Sequence, residues 1–423
     1  MDKFINKKIV LPNYMRKTIL FMMMFIILFK ITIASLDLGK GVIILAILYL
    51  VTYNGKVKNV LQYIGMKQYG MFFLLGIVWT SGLIYRDIFF PKNEMSSYLS
   101  SKEMMYISFY IIVLPFFCVF TFKSFNEFSK IVIAIMLLQS SIVILSMVLG
   151  PIKKILSFYY AGNKEVLYYM SANIKGVSFG IIGANGSVAL LMGQILLILL
   201  MLDNKISWSK FLIEYLIIMA AEALSGRTGF YFSIIFLAFY ILTERRICNI
   251  KKNILLLPTL FLIFCGITAL IIYIWAPDMI EKWIYRIFEI FIGIFGEKNG
   301  GATINAIQNM SHPELTVETL FGTSVTRGVS YNGTVFNNDS GYWQKYFALG
   351  LIGALFYYMG YLTLFLGTIK RLNTTKHRSF FLFCVIMLFI MEYKEPFIGY
   401  GIYPMMIMTI LIFYLKQSDL EKI

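Results

Sequence analysis

Apolar runs long enough to cross a bilayer recur along almost the whole of this chain. A membrane-spanning helix needs about 17–25 mostly apolar residues. Twelve runs answer to that description: 18–35, 41–53, 69–88, 104–122, 130–150, 176–202, 209–225, 228–243, 254–275, 341–369, 379–393 and 397–415. The second and the last two are short or broken. The runs are continuously apolar rather than alternating, which points to helices and away from a barrel. Composition agrees: 59% of the 423 residues are hydrophobic and 14% charged, against about 45–50% and about 25% in soluble domains. An ordinary soluble enzyme is excluded, as are disordered and fibrous chains. The expected fold class is all-α: a polytopic integral membrane protein of about twelve transmembrane helices, forming a single transmembrane domain over 1–423.

The charges orient such a bundle. With the N-terminus inside, the inner segments carry 22 basic and 6 acidic residues, and the outer segments carry 16 and 14. The whole net charge of +16 then falls on one side, as the bias of basic residues toward the cytoplasm requires. Both termini are expected in the cytoplasm, and the basic balance needs no nucleic-acid partner. Lys3, Lys7, Lys8, Arg16 and Lys17 precede the first run as they would in a signal peptide, but many spans follow, so an uncleaved first span is expected. Cys118, Cys248, Cys265 and Cys384 show no metal-ligand spacing, and neither a disulfide framework nor a zinc site is expected.

One connection is far longer than the rest. Residues 276–340 form an expected large outer loop between the ninth and tenth spans. Loops of this length are functional or disordered. The apolar anchors Trp283, Phe288, Phe291, Leu320 and Phe321 favour a folded cap over the membrane.

The residues that can carry chemistry collect near the outer face. Ser225-Gly226-Arg227-Thr228-Gly229 joins the seventh and eighth spans. The planar fork of Arg227 suits phosphate, the glycines let a ligand approach the backbone, and the amides opening the next helix favour an anion. The plain alternative is a snorkelling arginine in a turn. Glu222, one turn earlier, orients Arg227 or simply pairs with it. Asp339 precedes the tenth span and either caps that helix or acts as a base toward an attacking hydroxyl. His312, the one histidine outside, is a second candidate base. Arg286 and Arg327 would complete a pyrophosphate clamp or are ordinary loop charge. Glu392, Lys394 and Glu395 interrupt the apolar run before the last span, as a solvated turn or as a polar floor to a sugar site. No nucleotide-binding loop and no metal-ligating motif is present.

Together these features resemble the repeat-unit polymerases of O-antigen and capsule (Wzy type), within the superfamily that includes O-antigen ligase. The resemblance rests on Ser-Gly-Arg227-Thr-Gly at an outer helix end and on Leu320-Phe-Gly322-Thr-Ser in the large late loop. It rests also on Asn338-Asp339-Ser-Gly-Tyr342 followed by Gly350-Leu-Ile-Gly353. Ser324 stands where a second glycine is common. Asp339 stands where the ligase branch commonly has a histidine, which favours polymerase over ligase.

The resemblance implies a metal-independent glycosyltransferase of a bacterial cytoplasmic membrane, with its site facing outward and no cofactor. It would transfer the growing glycan from undecaprenyl pyrophosphate to a new lipid-linked repeat unit. Arg227 would bind the departing pyrophosphate, assisted by Arg286 or Arg327, and Asp339 would deprotonate the acceptor, with His312 in reserve. Implied partners are the lipid-linked oligosaccharides, the bilayer, and a chain-length regulator and flippase of the same pathway. The alternatives are a lipid-linked oligosaccharide flippase or other transporter, and a ligase of the same superfamily.

Overall fold

The computed structural model describes residues 12–33, 36–52, 67–77, 106–172, 175–243, 266, 313–323, 326, 328–329, 335–336 and 338–420. Of these, 81% are helical. Among the described residues three helices are long and apolar enough to cross a membrane, and four shorter apolar helices accompany them. The chain is an all-α membrane protein. Apart from residue 266, the run at 254–275 lies outside the described residues, as does most of the long loop.

In chain order, α1 is Asn13–Phe29, α2 Leu38–Thr52, α3 67–77, α4 Leu114–Thr121 and α5 Phe125–Val148. Two short helices follow, α6 (Gly150–Tyr159) and α7 (Lys164–Ser171). Next are α8 (Gly183–Leu202), α9 (Trp208–Ser225), α10 (Arg227–Thr243) and α11 (Val317–Phe321). The last group is α12 (Gly341–Ile369), α13 (Thr375–Glu392), α14 (Phe397–Tyr400) and α15 (Ile402–Leu420). Two minimal antiparallel pairs join Thr32–Ile33 to Leu36–Asp37 and Gly328–Val329 to Val335–Phe336. The chain divides into two compact units, Met1–Val42 with Asn126–Asn253 and Ile43–Phe125 with Ile254–Ile423.

In the first unit α8 is apolar on every side and buried continuously from Gly186 to Leu200, as a helix without a polar face must be. It packs against α9 and α10. Small residues set the spacing: a Cβ on Gly193 would lie 2.8 Å from the Met136 side chain, and close approach of this kind is how apolar helices gain contact inside a membrane. The run expected to be helical over 176–202 starts only at Gly183. Gly180 and Gly183 hold positive φ of 81° and 65°, a region open to glycine and closed to a helix.

The irregular 176–182 backbone is bonded on all sides. Ile181 N–H donates to Phe29 C=O at 3.0 Å and Gly176 N–H to Leu224 C=O at 3.0 Å. Val177 N–H donates to Ser146 Oγ at 3.0 Å, and Gln139 Nε2 to Phe179 C=O at 3.0 Å. The Tyr160 hydroxyl lies 2.7 Å from Ser178 C=O and 2.8 Å from Gly180 C=O. Burial, and then its neighbour Tyr159, push that hydroxyl above the ordinary phenol value, so it stays a donor. Such satisfaction is what non-helical backbone in an apolar setting demands. At the opposite end of α1, Arg16 pairs with Glu127 at the start of α5.

In the second unit the run at 104–122 is broken in register. Tyr106–Val113 is a π-helix and α4 begins at Leu114 with Pro115 in its first turn. Proline has no N–H to give and its ring crowds the carbonyl four residues back, so the ladder widens just before it. α15 is buried from Ile402 through Phe413 and packs against α4 and the π-helix. Gly401, at φ 77°, separates it from α14. Near the far end of α15, Lys416 Nζ donates to Val119 C=O at 3.2 Å.

The long α12 is bent. Gly350 has φ 76° and ψ 169° inside it, a conformation essentially confined to glycine. The bend frees the Phe347 carbonyl, and Thr323 takes it with both N–H and Oγ1 at 2.8 Å. Gly322, φ 95°, lies directly on the bend: a Cβ there would sit 2.5 Å from Gly350 N, and one on Gly350 would sit 2.3 Å from Leu320 O. The end of the long loop is thus clasped to the break in the span.

Candidate functional site

Arg227 is the first residue of α10, half-buried, at a junction built from small residues. The two glycines beside it do not open onto ligand space. A Cβ on Gly226 would lie 2.5 Å from Gly183 O, and one on Gly229 would lie 2.5 Å from Ser187 O. Their absent side chains let the start of α10 press on the start of α8, and Gly229 N–H donates to Ser187 Oγ at 3.1 Å. The expectation that these glycines admit a ligand to the backbone is corrected on this point.

Glu222 is fully buried and its two carboxyl oxygens accept no hydrogen bond from the described residues, Arg227 included. The expected pairing of Glu222 with Arg227 is therefore not made. Its polar neighbours are Gln194 on α8 and Ser233 on α10.

In the second unit the opening of α12 gathers a compact polar cluster. Asn338, Ser340, Gln344 and Lys345 are all buried. Asn338 Oδ1 accepts from Ser340 N–H at 2.7 Å, and Gln344 Nε2 donates to the carbonyls of Asn338 and Asp339 at 2.9 and 3.1 Å. The turn before the helix is thus tied by its own amides, and Asp339 stands exposed on it. Ser340, at the cap position, makes no side-chain cap bond.

Glu392, at the end of α13, is fully buried. Its Oε1 accepts from the Tyr358 hydroxyl at 3.1 Å and its Oε2 from Ile398 N–H at 2.8 Å. A Cβ on Gly341 would lie 2.3 Å from Oε1 and 2.7 Å from the Pro396 Cα, so glycine there lets the carboxylate and the backbone of the following turn sit against α12. Glu392 pins the α13–α14 turn to α12, and the half-buried Lys394 and Glu395 form the outer part of that turn.

Two cations join the candidates that the sequence pattern brought forward. Lys345 is 3% exposed, and its Nζ lies 4.7 Å from the centre of the Tyr357 ring. Twelve residues of straight helix would separate the two by about 18 Å; the bend at Gly350 brings them within reach. A lysine five residues into an apolar run was the available signal. Lys175 precedes the Gly176–Leu224 bond beside the Arg227 junction, with its Nζ 3.9 Å from the Tyr169 ring centre. Nothing in its local sequence sets it apart.

His312, Arg286 and Arg327 lie outside the described residues. Arg227 and Glu222 belong to the first unit, and Asp339, Glu392, Lys394 and Glu395 to the second. Among the described residues no group of three or more histidine, cysteine or acidic side chains is arranged to hold a metal. No protein-family model, curated protein or solved structure matches the chain.

Proposed function

We propose that this protein is a polymerase of surface polysaccharide, transferring a growing glycan from undecaprenyl pyrophosphate to a fresh lipid-linked repeat unit at the outer face of a bacterial cytoplasmic membrane. The observation that carries the reading is Arg227, a half-buried guanidinium at the first position of an apolar helix. There the planar fork is held at a helix start, a position that favours an anion.

In this reading Arg227 binds and neutralises the departing pyrophosphate, where negative charge develops. Arg286 and Arg327 assist it. Asp339, exposed at the mouth of α12, takes the proton of the acceptor hydroxyl, with His312 as the other candidate base. Lys394 and Glu395 border the sugar, and no metal is required. The charge bias of the sequence, with the N-terminus inside, supports an outward-facing site. A chain-length regulator and a flippase are the expected partners in the cell.

The experiment is Arg227→Lys in a stably expressed chain. Lysine keeps the charge and loses the bidentate fork, so polymer is abolished and single repeat units accumulate. Near-normal chain lengths contradict the assignment.

The second reading, a lipid-linked oligosaccharide flippase, is favoured by one observation. Glu222 is an acid buried among apolar helices, and ionisable groups in such positions mark transport pathways. Repeat units trapped inside cells that lack the protein support it.

A further inference from the structure

Three buried acceptor atoms meet where α8, α9 and α10 pack together. Glu222 and Gln194 are both 0% exposed. Neither carboxyl oxygen of Glu222 and not the Oε1 of Gln194 receives a hydrogen bond from the described residues. The nearby donors are committed elsewhere. Gln194 Nε2 donates to Tyr215 C=O at 3.3 Å, the Tyr215 hydroxyl to Ser233 C=O at 2.6 Å, and Ser233 Oγ to Phe230 C=O at 2.7 Å.

An ionised carboxylate stranded among acceptors in an apolar interior is far too costly to persist, and the group neutralises instead. Among the described residues no fixed positive charge is bonded to it. Residues 183–202 of α8 contain no charged or titratable side chain. On α9, Lys210 pairs with Glu214 at 3.7 Å two turns away. On α10 the titratable groups are Arg227, Tyr231 and Tyr240, and Arg227 makes no bond to this carboxyl. One added proton resolves the arrangement, because it turns Glu222 into a donor beside an acceptor that lacks one.

We infer that Glu222 is a proton-binding residue, held as the neutral acid and donating to Gln194 Oε1, so that it links α9 to α8 and is not the counter-ion of Arg227. The consequence reaches the Arg227 junction. The Glu222 carbonyl accepts Gly226 N–H at 2.8 Å, so the residue that carries the proton lies in the last turn of α9, just before Arg227. A neutral Glu222 leaves the guanidinium charge uncancelled by that carboxyl. This inference is independent of the polymerase reading, which fails or stands on glycan analysis alone.

The test compares infrared spectra of the full-length protein and its Glu222→Gln variant, both in lipid nanodiscs at neutral pH. Glutamine is the neutral isostere and supplies an N–H donor in the same place, so the variant is expected to fold and melt with the parent. The parent-minus-variant spectrum is expected to contain a protonated-carboxyl carbonyl band and no carboxylate band. A carboxylate band in that difference overturns the inference. Failure of the glutamine variant to fold, where a neutral isostere should be tolerated, overturns it equally.

Discussion

Two acids at the opening of α12 live in opposite surroundings. Glu392 is buried with both oxygens accepting bonds from Tyr358 and Ile398, whereas Asp339 is exposed. Their substitutions should therefore separate stability from activity. Glu392→Ala orphans the buried Ile398 N–H, at about 1–3 kcal/mol, and removes the partner of the part-buried Tyr358 hydroxyl, so the melting temperature of the purified protein should fall clearly. Asp339→Asn leaves the buried network untouched, so it should melt with the parent yet make no polymer. An Asp339→Asn chain that polymerises normally removes Asp339 as the base. Sequence logic raised both acids for the same reason, as charges next to apolar runs. What divides them is tertiary: Glu392 finds Ile398 N–H and a glycine opposite, and neither is visible in its own stretch. Lys345 passed unremarked for the same cause, since its burial depends on a bend formed five residues later.

Among the elements, the bend in α12 has the clearest consequence. Twenty-nine residues of straight helix would run about 44 Å, well beyond the hydrocarbon core of about 30 Å. The part beyond Gly350 alone covers about 30 Å, which leaves the polar opening turns outside that thickness. Gly350→Ala should cost about 1–3 kcal/mol for the backbone conformation alone, before its overlap with Leu320 O is counted. Gly41→Ala is the control. That glycine lies inside α2 with open space around it, so alanine should raise stability by about 1 kcal/mol. Thermal unfolding in detergent reads both. The longer helices in the described part were legible from apolar run length, most with ends shifted by a few residues, whereas α6, α7 and α11 lie outside every such run. The breaks were not. The 176–182 stretch, the π-helix before Pro115 and the bend at Gly350 all sit inside apolar runs, and the first and last of them are held by distant partners, Phe29 C=O and Thr323. The glycines flanking Arg227 carried a true signal with another meaning, close packing on α8 rather than access for a ligand.

For the molecule as a whole, membrane class and helical architecture followed from composition, because twelve apolar runs leave no soluble alternative. Division into two compact units did not, since both units are interleaved in sequence and made of the same kinds of residue. In the first, Arg227 stands at the start of α10; in the second, Asp339, Lys345 and Glu392 lie at the opening of α12. The central claim is that these positions serve glycan polymerisation. It is tested most directly by resolving surface and lipid-linked glycan on one gel from cells that lack this protein. The account predicts single repeat units, exported but never lengthened. Full-length polymer stranded on its lipid would mark a ligase, repeat units held inside would mark a flippase, and an unchanged glycan profile would contradict the polysaccharide assignment altogether.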